Sequence, residues 1–286
     1  MKVLAEAEAN AAISILHALG LGKGCSIGID LKMKVELVSE VQEVEADHHS
    51  LLDSIEFIWT QNGLPLPDNF GWRISSNIPI GQGLKSSSAL SCAALKALNN
   101  ATWAGLNDFE IIDLAVSSQR HAGCTLSGSM DDTWAAISSG WKLVDPYQKA
   151  EESILLEGDL EENTYQIFLI LRGRRSNDIN AQKFKEQSKI FNRALGLLSG
   201  ESIFHAMSAN GMAVAAATGD DDALRICNQA IVNGAISAAI TGSGPVISVV
   251  CFNQENSTMR EYLSRTDYEI IETNFSNKKL TGLVNL

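Results

Sequence analysis

The sequence predicts an α+β protein of two lobes. Its 286 residues approach the length at which one hydrophobic core divides in two. Segments that alternate apolar and polar side chains, as half-buried strands do, occur in both halves and are interleaved with stretches of helical periodicity. The strands fall where they can pair in hairpins, with the helices gathered on one side. A composition of 45% hydrophobic and 20% charged residues with only 5 prolines belongs to a chain that folds.

Residues 5 to 19 are alanine-rich with Ile13, Leu16 and Leu19 at helical spacing, and Gly20, Gly22 and Gly24 then break the pattern, so a first helix is expected there. Residues 25 to 39, CSIGIDLKMKVELVS, alternate as a strand or hairpin does. A helix over 49 to 61, a turn over 64 to 67 and a strand through Phe70, Trp72 and Ile74 follow. The run ALSCAALKALNNATW reads as a helix capped by Ser86 or Ser87, and a second helix spans 108 to 120, capped by Asn107 or Asp108. Residues 123 to 132, GCTLSGSMDD, form a polar loop ending in paired carboxylates. The charge run 151 to 162 marks a surface crossing and sets the division into lobes at 1–160 and 161–286. Beyond it YQIFLIL is a compact strand that ends on Arg172, Arg174 and Arg175. Helices fill 178 to 198, 201 to 217 and 220 to 233; AISAAI and VISVVCF are strands flanking the loop 241 to 245; a short helix near 255 to 264 and two late strands complete the layout. Trp59, Trp103 and Trp134 are expected to pack in the interior.

With 22 basic against 34 acidic residues and a net charge of −12, the surface is unsuited to coating nucleic acid, and suits a local pocket for a small anion. The five cysteines are scattered, without a Cys-x-x-Cys pair, and read as reduced residues of a cytosolic chain. Glu6 and Glu8 interrupt what an export signal would need, and no window is apolar enough for a membrane span. The histidines, His48 and His49 included, lack the spacing of a transition-metal site.

The chemistry concentrates at residues 78 to 89, IPIGQGLKSSSA. Free amides at a helix amino end attract an anion, and glycines before it let the backbone wrap the ligand. Pro79 stiffens the approach, Gly81 and Gly83 permit positive φ, Lys85 adds a charge, and the hydroxyls of Ser86, Ser87 and Ser88 can bind phosphate or ligate Mg²⁺. The spacing is neither that of a Walker loop nor the dinucleotide fingerprint.

This Pro-x-x-x-Gly-Leu-x-Ser-Ser-x-Ala pattern resembles the phosphate loop of the GHMP kinases. GKGCSIGIDLKMKVEL (22 to 37) resembles their early hairpin, SGSMDD their catalytic loop, and TGSGP (241 to 245) their carboxy-terminal glycine loop. In wording the four segments are most similar to the archaeal shikimate kinases of that superfamily. The resemblance implies an amino-terminal ATP-binding α+β lobe with a left-handed βαβ-type phosphate loop, and a ferredoxin-like second lobe. It also implies transfer of phosphate from ATP, with Mg²⁺, to shikimate, giving shikimate 3-phosphate. Homoserine and mevalonate-pathway kinases, and a nucleotide-binding regulator without catalysis, share the same loop.

Carried onto this chain, Pro79, Gly81, Gln82, Gly83, Leu84, Lys85, Ser86, Ser87, Ser88 and Ala89 would hold the triphosphate, with Gly242, Ser243 and Gly244 closing over it and Ser87 touching Mg²⁺. Asp131 would sit beside the acceptor hydroxyl, with Asp132 as the alternative and Lys85 assisting. Asp30, Lys23 or Lys32, and Arg172, Arg174 or Arg175 would meet the acceptor. Two departures stand out: Gln119 lies near where mevalonate-type kinases carry a glutamate, and residues 5 to 12, AEAEANAA, lack the usual Pro-Gly-Lys.

Overall fold

The computed structural model describes residues 2–40, 44, 47, 49–125, 127–174 and 178–276. The chain opens on a long hairpin, β1 (Val3–Leu16), a single turn α1 (Ala18–Leu21) and β2 (Gly24–Val38). The two strands pair antiparallel along nearly their whole length. Residues 5 to 19 are thus mostly strand, not the helix expected of their alanine content. Alanine favours helix only when nothing else decides. Here Glu6 and Glu8 face solvent while Ala5 and Ala7 turn inward, a period of two that the sheet uses, and from Ala9 to Leu16 every residue is buried.

The first sheet is completed after α2 (Leu51–Gln61) by β3 (Gly71–Ser76), then, beyond α3 (Ser86–Thr102), α4 (Asp108–His121) and α5 (Met130–Ile137), by β4 (Trp141–Val144) and, after α6 (Ala150–Ser153), β5 (Ile154–Gly158). Its order is β1-β2-β4-β5, with β3 also paired to β2, all antiparallel. The charge run 151 to 162, expected as a surface crossing, contains β5, which pairs with β4 at the sheet edge and leaves Leu155 and Leu156 exposed. Across the sheet lies α3, whose buried Ala89, Ala93, Ala94 and Ala97 are small enough for close contact with β1 and β2. A reciprocal capping box starts α4: Glu110 donates its amide to the Asn107 side chain (3.0 Å) and accepts the Asn107 amide (2.9 Å).

The second sheet comes from β6 (Tyr165–Leu171), then α7 (Ala181–Glu186), α8 (Ser188–Ser199), α9 (Ile203–Thr218) and α10 (Asp221–Val232), then β7 (Ser237–Ile240), β8 (Ile247–Phe252), α11 (Asn256–Leu263) and β9 (Glu269–Thr273). Its order β7-β8-β6-β9, antiparallel throughout, is that of a ferredoxin-like lobe. β9 is one of the two late strands expected; the chain after residue 276 lies outside the described residues. The two sheets are tied together by α9, which packs on β7 and reaches β1.

Trp59 and Trp134 are buried, their indole N–H groups donating to Pro65 O (2.8 Å) and Ser153 Oγ (3.0 Å). Trp103 is not a core residue: it ends α3 in the left-handed conformation and is 91% exposed. Among the described residues no helix is long and apolar enough to cross a membrane.

Candidate active site

The glycine-serine segment folds as a series of left-handed steps into a helix. Gly81 (φ 72°), Gly83 (φ 89°) and Lys85 (φ 65°) all have positive φ, and α3 begins at Ser86. Lys85, not Ser86 or Ser87, is therefore the cap residue, and no side chain caps the helix. Because the cap supplies backbone geometry without a side-chain acceptor, the first amides of α3 keep their donors for a ligand, as an anion cradle requires. The loop is fixed from behind. Leu84 and Ala89 are buried, Leu84 O accepts the Ala12 amide (3.3 Å), and Gln82 O accepts the Val246 amide (3.3 Å). Pro79 lies half-buried ahead of the turn.

Asp131 and Asp132 lie in the first turn of α5 and not at the end of a loop, because Ser129, at φ 51°, starts the helix at Met130. Lys85 Nζ is 2.7 Å from Asp132 Oδ1, with the side chains 12% and 9% exposed. Ser26 Oγ on β2 lies 2.7 Å from Asp131 Oδ2 and 2.9 Å from Asp132 Oδ1. Consecutive helical side chains diverge by about 100°, and only Asp132 reaches the cavity that the phosphate loop lines. Asp131 packs against Gly24, where any Cβ would collide with its carboxylate. The expected order of the pair is thus reversed: Asp132 faces the cavity and Asp131 stands behind it.

Their electrostatics diverge as well. Burial first, and then the negative charge of Asp132, push the Asp131 carboxyl up to about 7. Burial also opposes ionisation of Asp132, but the Lys85 ammonium and its hydrogen bond outweigh it and hold that carboxyl below the ordinary aspartate value. One buried acid is kept ionised at the cavity while its neighbour is kept ready to carry a proton.

From the second sheet, the loop between β7 and β8 closes on this assembly. Thr241 Oγ1 donates to Gly83 O (3.2 Å) and accepts the Ser14 amide (3.1 Å), and the Gly242 amide donates to Ser14 Oγ (3.2 Å). The approach is so close that a Cβ on Gly83 would overlap the carbonyl oxygen of Thr241. Gly242 and Ser243 line the 180 Å³ cavity together with Gly81, Gly83, Lys85, the three serines 86 to 88 and Asp132. Gly244 turns the chain behind them at φ 81°.

Two further residues join the cavity, of which sequence reasoning missed His17 and noted Gln119 only as a departure. His17, between β1 and α1, lines the cavity. Its Nδ1 accepts the Leu19 amide (3.2 Å), so the neutral ring carries its proton on Nε2, which donates to Ser243 Oγ (3.0 Å). Gln119 lines the cavity too, accepting from Ser88 Oγ (3.0 Å) and donating to Thr133 Oγ1 (3.2 Å). A glutamine that spans two hydroxyls needs both an acceptor and a donor.

The remaining candidates do not join this cavity. Lys23 is exposed at the turn into β2. Asp30 and Lys32 pair with each other at 3.4 Å and line a different cavity, beside Asn274 and Phe275. Arg172 is held by Asp220 through two hydrogen bonds of 2.7 and 2.8 Å, and with Arg174 lines a neighbouring cavity in the second lobe. Arg175 and His48 lie outside the described residues.

The model of the GHMP kinases N terminal domain matches residues 53–140. A shikimate kinase of Methanobrevibacter smithii is 25% identical over 277 residues, covering 92% of this chain and 94% of that protein. One of Pyrococcus abyssi is 28% identical over 258 residues, covering 86% and 91%. Among solved structures, the Methanococcus jannaschii mevalonate kinase superposes with a TM-score of 0.69 at 19% identity, covering 95% of this chain and 98% of that one. A phosphotransferase related to CoA biosynthesis does so with a TM-score of 0.74 at 14% identity, covering 96% of each. The fold is that of the GHMP kinases, and residues 53–140 match the amino-terminal domain of that family. Within that family, the chain's similarity over nearly its full length is to the archaeal shikimate kinases.

Proposed function

We propose that the chain transfers the γ-phosphoryl group of ATP to a hydroxyl of shikimate, giving shikimate 3-phosphate for chorismate and aromatic amino acid synthesis. The observation that carries this is the sharing of one cavity by the uncapped amino end of α3 and the Lys85–Asp132 pair. The shikimate kinases matched over most of the chain support the choice of acceptor.

In this reading residues 79 to 89 hold the triphosphate, with the α3 amides and the serine hydroxyls directed at its oxygens. Gly242 and Ser243 cover it from the second lobe. Asp132, already ionised, takes the proton of the acceptor hydroxyl as its oxygen attacks the γ-phosphorus and ADP leaves. Lys85 lies between that carboxylate and the phosphate loop, where its charge opposes the negative charge that develops on transfer. Asp131 supports Asp132 through Ser26 and does not itself meet the acceptor. The division into lobes at 1–160 and 161–286 would place the contact of Gly83 with Thr241 between them.

Mg²⁺, when bound, would neutralise phosphate charge. Among the described residues no group of three His, Cys, Asp or Glu side chains gathers to hold a metal alone. A bound Mg²⁺ would take most of its ligands from phosphate and water, with the hydroxyl of Ser87, which lines the cavity, as its protein oxygen. All five cysteines are free; the reading places the chain in the cytoplasm.

The test is a coupled ADP-release assay over shikimate, homoserine and mevalonate. Turnover restricted to shikimate is expected; robust turnover of another acceptor with none on shikimate would replace the substrate, and ADP binding without transfer to any would reduce the chain to a nucleotide-binding regulator.

A further inference from the structure

We propose that the cavity between the end of β6 and α7 is a carboxylate subsite, in which Arg174 and Lys183 hold the acid group of the acceptor; this rests on the phosphotransfer reading above. The cavity measures 480 Å³ and adjoins the phosphate cavity. Ser243 lines both, and the Phe184 ring, which walls the second, lies 4.7 Å centroid to centroid from the His17 ring, which lines the first. In the proposed pose the acceptor lies across Ser243, its hydroxyl toward Asp132 and its carboxylate in this second cavity.

The inventory of cations decides which residues meet that carboxylate. Of those lining either cavity, Lys85 is committed to Asp132 and Arg172 to Asp220, in a bidentate pair that also reaches Pro245 O. Arg172 was a candidate from sequence, but it braces β6 against the start of α10 and has its fork filled. Among the described residues neither Arg174 nor Lys183 makes an ion pair. Gly173, at φ 83°, turns the chain between the two arginines, so both line the cavity from successive bends. Lys183 is set by α7, whose Phe184 is buried against His17 and Phe191.

Charge supports the assignment. In a chain of net charge −12, the described residues of this lining bring three cations, Arg172, Arg174 and Lys183, against two carboxylates, Asp178 and Asp220. After the Arg172–Asp220 pair cancels, two cations face one acid. A locally positive concavity in an acidic shell focuses a small anion. The apolar face of Phe184 suits the carbon skeleton of a ring, and Asp178 offers an acceptor for a ring hydroxyl away from the acid group.

Steady-state kinetics on Arg174→Met, Lys183→Met and the double variant test this, with Lys185→Met, on the same helix but outside the cavity, as the control. For the double variant KM for shikimate is expected to rise about tenfold to a hundredfold, as for loss of charged hydrogen bonds, with KM for ATP held within about twofold. Methyl shikimate supplies the second readout: the wild type should strongly prefer the free acid over the ester, and the double variant should lose most of that preference. An unchanged KM for shikimate, an unchanged acid-to-ester preference, or a rise in KM for ATP instead would overturn the subsite. A wild type inactive on shikimate would overturn the parent reading, and the subsite would then be judged by the same variants on homoserine or mevalonate, whichever turns over. With no turnover on any of the three, both fall.

Discussion

Replacing Lys85 by methionine keeps an aliphatic stem and deletes a charge 2.7 Å from a buried carboxylate. At an effective dielectric of about 20 the attraction across that distance is about 6 kcal/mol. Desolvation of both groups offsets much of it while they are paired, but removing the cation alone leaves Asp132 buried beside Asp131 with one shared hydroxyl proton. A loss of about 3–5 kcal/mol is expected at pH 7.5. The sign with pH follows from the shift: Asp132 is held below its unfolded value, so its contribution is present above about pH 4 and is lost as pH falls. In Lys85→Met the same carboxyl becomes one that burial raises, so the variant gains stability on acidification and the gap to the wild type narrows toward pH 5. Urea unfolding followed by the fluorescence of buried Trp134 measures this, and Lys85→Met/Asp132→Asn should be more stable than Lys85→Met alone. A single variant within about 1 kcal/mol of the wild type at pH 7.5, the range of exposed pairs, or strictly additive effects in the double variant, would refute the account.

Asp132→Asn should lower kcat by about a hundredfold to ten-thousandfold while nucleotide still binds, as measured by ADP titration beside turnover; Asp131→Asn should lose far less, and equal losses would return the base to Asp131. The raised Asp131 carboxyl contributes stability that is complete below its unfolded value near 4 and lost as pH rises through about 7. Melting curves from pH 5 to 8 should therefore slope downward less in Asp131→Asn than in the wild type, and parallel slopes would contradict the shift. Gly83→Ala places a Cβ at φ 89° against the carbonyl of Thr241; at least about 1–2 kcal/mol of stability and a clear rise in KM for ATP are expected, and an alanine variant with wild-type melting and KM would mean that the loops do not meet as described.

What the sequence disclosed was local. The turns of residues 78 to 89 are legible because they rest on adjacent positions: Gly81 and Gly83 take positive φ and α3 begins at Ser86. Alternation in residues 25 to 39 became β2 because period two is a property of the strand itself. β1 was misread because its alanines are neutral to the choice and only pairing with β2 settles it. The phase of Asp131 and Asp132 depended on where α5 begins, which a polar loop does not announce. His17 owes its place to Ser243, 226 residues later, and Arg172 is withdrawn from substrate by Asp220, 48 residues away. Such partners leave no trace in spacing. Trp103 marks the converse limit, since hydrophobicity alone does not say that a side chain at a left-handed helix end has nothing to pack on.

The hydroxyl of Ser26 has a single hydrogen and two acid neighbours. When Asp131 is ionised, the serine hydrogen can point to it while the serine oxygen accepts from a protonated Asp132, so that one O–H bond breaks and one forms at each end as the proton passes along this wire from Asp132 to Asp131. A hydron collected at the reaction face then has somewhere to go other than back. Neither acid will show a private titration curve, and spectra of either should display the inflections of both; Ser26→Ala would cut the wire and leave only the coupling of the two charges through space.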